Sequence, residues 1–156
     1  MLRAITVLIF SALLAGCGFH LRGGGLQGAD VPLTYLQGGS PNAGVSAELS
    51  RLEQFTNDAA KAQVVLNILS ENFDRRVLSV GSDAKVSEYE VRYTVSFSAT
   101  DKAGKEIIAP QTIALKRDYR FDETRVLAAD AEEATLRRDM ARDAAQRIIR
   151  RLEVMK

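Results

Sequence analysis

The sequence predicts an α+β fold in which two helices pack on one face of a mixed four-stranded sheet, in the order β-α-β-β-β-α. Two patterns carry this prediction. Apolar and polar side chains alternate along residues 91–99, as in a half-buried strand, and apolar residues recur every three or four positions along residues 136–152, as on one helix face. With 156 residues, 46% of them hydrophobic, the chain is long enough for one domain around one core.

The first three elements are predicted to form a crossover unit. Residues 31–37 alternate as a short strand, and the dense branched run 62–70 is typical of a central strand. Between them, residues 43–57 are predicted to form a helix. Its apolar face consists of Val45, Leu49, Leu52 and Phe55. A strand, helix and strand in this order favour a right-handed crossover with parallel strands.

The middle of the chain is predicted to form two long antiparallel hairpins. Residues 86–100 and 107–121 read as strands joined by a short turn, and segment 71–85 extends strands two and three into a projecting hairpin. In the strand 86–100, the residues expected to face the helices are Val91, Tyr93, Val95 and Phe97. Those expected to face outward are Arg92, Thr94 and Ser96.

The last helix is predicted to begin near Ala131. Asp130 suits the N-cap, and Glu133 stands where a capping box needs an acidic residue. The apolar stripe that follows contains Leu136, Met140, Ala144, Ile148, Leu152 and Met155.

The amino terminus reads as a lipoprotein signal. Arg3 precedes an apolar run over residues 4–14, which is shorter than the about 20 residues that a spanning helix needs. The run ends in Leu14-Ala15-Gly16-Cys17, which resembles the bacterial lipobox. We therefore predict a signal peptide at 1–16, a tether at 17–30 lipidated on Cys17, and a single α+β domain at 31–156. The alternative is a buried apolar helix with an incidental cysteine.

The composition argues against several classes of function. A net charge of +1 does not suit a nucleic-acid-binding protein, and one Cys with one His argues against disulfide frameworks, zinc sites and a Ser-His-Asp triad. His20 stands in the tether without a base or an orienting partner. Glu88 and Glu90 share the polar side of a strand, where a solvated face is the simpler interpretation. The sequence therefore predicts no cofactor, no metal and no enzyme.

Basic residues in and beside the projecting hairpin are the candidate binding residues. Arg75, Arg76 and Lys85 lie in the connection between strands two and three, and Arg92 lies on the polar side of strand three. Further cations on strand four are Lys116, Arg117 and Arg120. Such side chains form charge-assisted hydrogen bonds with phosphate. The competing interpretation is that nearby acids neutralise them, namely Glu71, Asp74, Asp83, Glu88, Glu90 and Asp118.

The stretch Cys17-Gly18-Phe19-His20-Leu21-Arg22 resembles the start of the mature chains of the LptE family of lipopolysaccharide-assembly lipoproteins. The resemblance extends over nearly the whole chain, although only this stretch is compact enough to be a motif. Other matching stretches are Ser40-Pro41-Asn42, Ser87-Glu88-Tyr89 and residues 144–152.

The resemblance implies a lipid-anchored outer-membrane protein on the periplasmic side, with no nucleic-acid partner. Family members form a complex with the barrel LptD, plug its lumen, assist its assembly and bind lipopolysaccharide. The phosphates of lipopolysaccharide would then be the ligands of Arg75, Arg76, Lys85 and Arg92. Gly18 after the cysteine agrees with sorting to the outer membrane. Two alternatives stay open: a periplasm-facing scaffold or peptidoglycan-linked lipoprotein without lipopolysaccharide binding, and a small lipoprotein enzyme.

Overall fold

The computed structural model describes residues 30–40 and 42–154, which pack around one hydrophobic core. The strands are β1 Thr34–Gly38, β2 Phe55–Thr56, β3 Val64–Val80, β4 Val86–Asp101 and β5 Glu106–Arg120. The helices are α1 Gly44–Leu49 and α2 Val126–Glu153, the latter preceded by a 3₁₀ turn at Glu123–Arg125. The predicted signal peptide, Cys17 and Met155 lie outside the described residues.

The strands form one mixed sheet in the order β2-β1-β3-β4-β5. β1 runs parallel to both β2 and β3, whereas β3, β4 and β5 are antiparallel in sequence. The predicted parallel pair of the crossover unit and both predicted hairpins are therefore confirmed. The α+β class holds as well.

The sheet has five strands rather than the predicted four, because the predicted helix 43–57 was too long. α1 ends at Leu49, and two successive turns follow, in which the amide of Leu52 bonds the carbonyl of Leu49 and the amide of Phe55 bonds that of Leu52. Such turns place every third residue on one side, as a helix nearly does. The apolar spacing in the sequence therefore could not distinguish a continuous helix from a short helix followed by turns. Phe55–Thr56 then pairs with β1 as the extra strand.

The hairpin of β3 and β4 extends well beyond β1, but it does not project alone as predicted, because β5 pairs with β4 as far as Glu88. β1 pairs with β3 only as far as Ile68, but β3 continues to Val80. The turn closes through the amide of Gly81 and the carbonyl of Lys85 at 2.7 Å. Near this end the exposed aliphatic side chains are Val77, Leu78 and Val80, with 49%, 46% and 56% of their surface accessible.

The core lies between the sheet and the two helices. The four predicted inward residues of β4, Val91, Tyr93, Val95 and Phe97, are fully buried. From the helices, the core receives Val45, Leu49, Met140, Ala144, Ile148 and Leu152. Arg92, Thr94 and Ser96 alternate with the buried residues and lie on the opposite face of the sheet. The predicted register of this strand is therefore confirmed.

α2 begins at Val126, five residues before the predicted start at Ala131. Asp130 lies inside the helix and does not cap it, while Asp122 caps the preceding 3₁₀ turn by accepting from the amide of Thr124 at 2.9 Å. The first turns of α2 are rich in alanine and leucine, which favour helix and carry it back to this turn. Within the described ranges, no helix is both long enough and apolar enough to cross a bilayer.

Candidate functional site

The four predicted binding residues lie on different sides of the hairpin. In the register of β3 and β4, Arg76 is opposite Glu90, and Arg92 is opposite Asp74 on the same face of the sheet, away from the helices. Arg75 is opposite the buried Val91 and therefore lies on the helix side. Lys85 stands at the end of the turn. The structure thus brings Arg76 and Arg92 together and separates them from Arg75.

On the outer face, two of these arginines share one carboxylate. Arg76 Nε lies 2.8 Å from Glu90 Oε1, and Arg92 Nη2 lies 3.7 Å from the same oxygen. Lys116 of β5 is opposite Arg92 in the register. The Arg76 guanidinium, with smaller contributions from Lys116 and Arg92, lowers the pKa of the Glu90 carboxyl. We call Arg76, Arg92, Lys116 and Glu90 the outer cluster.

Lys116 was named from the sequence only as one of several cations on its strand. Nothing local to β5 indicates that it faces Arg92, because that contact depends on the pairing register of two long strands. Asp74 and Asp118 also lie on this face, opposite Arg92 and Glu90. The outer cluster is therefore surrounded by balanced charge, as the competing interpretation of the basic residues requires.

One hydrogen-bond donor of Arg92 has no acceptor in the described part of the chain, despite the acids around it. Its Nε is buried and has no hydrogen-bond partner among the described residues. A buried donor without a partner costs free energy until an acceptor reaches it. Arg92 therefore keeps one unused donor, and Lys116, which is exposed and has no side-chain hydrogen bond or ion pair among the described residues, has spare capacity for an anion as well.

On the helix side, Arg75 belongs to a network that ties the hairpin to α2. Arg75 Nη1 donates to Glu133 Oε2 at 2.9 Å and lies 3.4 Å from Tyr119 Oη, which itself donates to Glu133 at 2.7 Å. The guanidinium carbon lies 4.5 Å from the ring centroid of Tyr89. The hydrogen bond with Tyr119 raises the pKa of Arg75, and burial raises the pKa of Tyr119. Glu133, predicted to cap α2, holds this network instead.

Lys85 forms an ion pair with Glu123 of the 3₁₀ turn, so the tip of the hairpin lies beside the start of α2. Val126 and Leu127 at that start are exposed, Leu127 by 86% of its surface. One end of the molecule therefore carries exposed aliphatic side chains from two elements, with Lys85 beside them. Val126 and Leu127 were not singled out from the sequence, since both lie before the predicted helix start.

The chemistry of these residues suits binding of an amphipathic anion. Exposed guanidinium and ammonium groups donate hydrogen bonds to phosphate oxygens, and the neighbouring aliphatic side chains offer contacts to hydrocarbon. Within residues 30–40 and 42–154, no group of three or more His, Cys, Asp or Glu side chains is arranged to hold a metal ion.

Comparisons with known proteins agree on one family. The sequence model of LptE, described as lipopolysaccharide-assembly, matches residues 32–152. The LPS-assembly lipoprotein LptE of Pectobacterium atrosepticum is 30% identical over 158 residues, covering 96% of this chain and 85% of the relative. The LPS-assembly lipoprotein LptE of Photorhabdus laumondii is 26% identical over 157 residues, with the same coverage of 96% and 85%.

The fold also matches a solved structure. The solution NMR structure of an uncharacterized lipoprotein B from Nitrosomonas europaea superposes with a TM-score of 0.66 at 29% identity. The match covers 85% of this chain and 88% of that one. The overall fold is therefore shared with this lipoprotein.

Proposed function

Because the chain belongs to the LptE family of lipopolysaccharide-assembly proteins, we propose that it is a non-enzymatic outer-membrane lipoprotein that works with the barrel LptD. It is anchored through Cys17 on the periplasmic side, fills the barrel lumen as a plug and assists barrel assembly. It binds lipopolysaccharide for delivery to the cell surface. The observation that carries this proposal is the family match over residues 32–152, which spans nearly all of the described domain.

The outer sheet face supports the plug role. A large barrel leaves a lumen that its own side chains cannot fill. The face of the sheet away from the helices offers hydroxyl and charged groups, such as Ser96 and Thr112, whose side-chain oxygens lie 2.9 Å apart. A charge-balanced face of this kind makes polar contacts with a hydrophilic wall without exposing a large apolar surface.

The hairpin supports the ligand role. Lipopolysaccharide combines phosphates with acyl chains, and the hairpin offers cations beside Val77, Leu78 and Val80. A hydrogen bond between a charged donor and phosphate is worth about 1.5–3 kcal/mol where water is partly excluded. Exposed contacts contribute less and weaken with salt.

We propose Arg75, Arg76, Lys85 and Arg92 as the phosphate contacts. Each has a carboxylate partner in the free protein, namely Glu133, Glu90, Glu123 and again Glu90. Binding therefore requires these partners to be exchanged for phosphate. Arg92 needs the smallest change, because its Nε already lacks an acceptor among the described residues.

Co-purification tests the partner. The mature lipidated chain, extracted in detergent, should carry LptD with it in a stoichiometric complex. A scaffold or peptidoglycan-linked lipoprotein would be recovered without the barrel. Recovery of the chain without LptD from cells that make both proteins would contradict the plug role.

A charge-reversal variant tests the ligand. Changing Arg75, Arg76, Lys85 and Arg92 together to Glu should strongly weaken binding of purified lipopolysaccharide while circular dichroism stays unchanged. The matched control reverses four exposed cations elsewhere, Lys102, Lys105, Arg147 and Arg150. Equal loss in both variants would indicate an unspecific charge effect. Retained binding with lost LptD would assign the four residues to the barrel interface instead.

A further inference from the structure

The outer edge of β5 is open. β5 is the last strand in the sheet order and pairs only with β4 among the described residues. Every second residue of such an edge strand directs its backbone amide and carbonyl away from the sheet, where another strand can pair with them. Natural proteins usually protect such edges by keeping the strand short, by a bulge or by covering it.

The usable part of this edge is the second two-thirds of the strand. Register shifts interrupt the pairing with β4 between Ala99 and Thr100 and between Phe97 and Ala99, where Ala109 and Pro110 form the bulge on β5. Proline cannot donate to a neighbouring strand and is typical of such positions. From Gln111 to Arg120 the register with β4 is unbroken.

The regular stretch carries a charge preference. It contains three cations, Lys116, Arg117 and Arg120, and one acid, Asp118. Arg117 is paired with Asp143 of α2 at 2.8 Å. Arg120 is exposed and has no side-chain hydrogen bond or ion pair among the described residues, and its neighbour in the register, Glu88, accepts from Ser79.

The other free edges of the sheet are less suitable. β2 has only two residues, Phe55–Thr56. β3 is free beyond Ile68, but its unbroken register runs only from Ser70 to Val77, between one shift at Ile68/Ser70 and another at Val77/Ser79. Its charges there are balanced as well, with Glu71 and Asp74 against Arg75 and Arg76.

We propose that Gln111–Arg120 of β5 accepts an extended acidic segment of a partner protein by antiparallel or parallel strand addition. Backbone hydrogen bonds supply the affinity of this mode, and the side chains beside them select the partner. Acidic side chains on the added strand would lie next to Lys116 and Arg120 and be attracted to them. Basic side chains at the same positions would be repelled. A second copy of this chain is a poorer occupant, because this stretch of its β5 carries the same three cations and one acid. The two strands would therefore repel each other.

The test uses the mature chain in detergent and a peptide of alternating Glu and Val, matched in length to Gln111–Arg120. Hydrogen exchange should show new protection at alternate amides of this stretch when the peptide is added. A peptide of alternating Lys and Val should produce none. Absence of new protection with the acidic peptide, or equal protection with both peptides, would overturn the proposal.

Charge reversal separates strand addition from general attraction. Lys116→Glu with Arg120→Glu should weaken binding of the acidic peptide roughly tenfold, equivalent to about 1.4 kcal/mol. The matched control is Lys102→Glu with Lys105→Glu, at the turn between β4 and β5, and it should bind as the unchanged protein does. Equal weakening in the two variants would overturn the proposal. So would protection of β5 that rises with protein concentration without peptide, because a second copy would then be the occupant.

Discussion

The phenol of Tyr93 donates a hydrogen bond to the carboxylate of Glu71 at 2.5 Å and accepts one from the amide of Val45 at 3.0 Å. Three elements meet here, since Tyr93 lies on β4, Glu71 on β3 and Val45 in the first turn of α1. Tyr93 is fully buried, and burial together with Glu71 raises its pKa. These two hydrogen bonds hold α1 on the sheet near the point where β1 ends and β3 and β4 continue.

Tyr93→Phe should therefore destabilise the protein. The change removes the hydroxyl between the Val45 amide and the Glu71 carboxylate and leaves these two groups only their direct hydrogen bond of 3.3 Å. A hydrogen bond to a charged group contributes about 1.5–3 kcal/mol. The matched control is Tyr35→Phe on β1, whose hydroxyl has no hydrogen bond among the described residues. Urea unfolding should show a lower free energy of unfolding for Tyr93→Phe and little change for Tyr35→Phe. Equal decreases in the two variants would contradict a stabilising role for the hydrogen bonds of the Tyr93 hydroxyl.

The raised pKa of Tyr93 also predicts a pH dependence. In the unfolded chain a tyrosine ionises near pH 10, whereas folded Tyr93 keeps its proton above that pH. Its contribution to stability is thus complete below about pH 10 and falls by about 1.4 kcal/mol per pH unit as pH rises further. The difference in the free energy of unfolding between the wild type and Tyr93→Phe should narrow by about 1 kcal/mol between pH 10 and 11. A constant difference would show that the pKa is not raised.

Gly44→Ala should cost more than Gly104→Ala. Both glycines have positive φ, 62° and 80°, which a side chain adopts at a cost of about 1–2 kcal/mol. A Cβ on Gly104 would meet nothing within 4 Å, but one on Gly44 would overlap the carboxylate of Glu71. The alanine at position 44 must therefore displace the carboxylate that Tyr93 holds. Thermal unfolding should rank the two variants in this order, and the reverse order would contradict it.

Phe97→Ala should cost about 3–5 kcal/mol, because it empties a fully buried site in the core. Thr94→Ala changes a half-buried side chain on the outer face of the same strand and should cost far less. Chemical denaturation measures both. Similar losses would show that the two faces of β4 are wrongly assigned.

Mass spectrometry of the native protein tests the anchor. The mature chain should begin at Cys17, lack residues 1–16 and carry a mass increment of the size of acyl chains. Cys17→Ser should leave the signal uncleaved at this position and remove the increment. A mature chain that begins elsewhere, or one with an unmodified Cys17, would refute the prediction.

The sequence by itself determined the parts of the fold that rest on local periodicity. The alternation through Val91, Tyr93 and Phe97 needs only neighbouring positions on one strand, and it placed the buried and outer faces of β4 correctly. The stripe on α2 was equally readable, because a helix repeats every three to four residues. The family could also be identified, since the stretch at Cys17–Arg22 is compact.

Only the tertiary structure decided the length of α1 and the surroundings of the predicted binding residues. A spacing of three residues fits both a helix and successive turns, and pairing with β1 at Phe55 settled the choice. Arg75 and Arg76 are neighbours in sequence, yet one meets Glu133, far along the chain on α2, and the other meets Glu90 across the sheet. Adjacent residues of a strand point to opposite faces, and what each face meets depends on strand register and helix packing between distant segments.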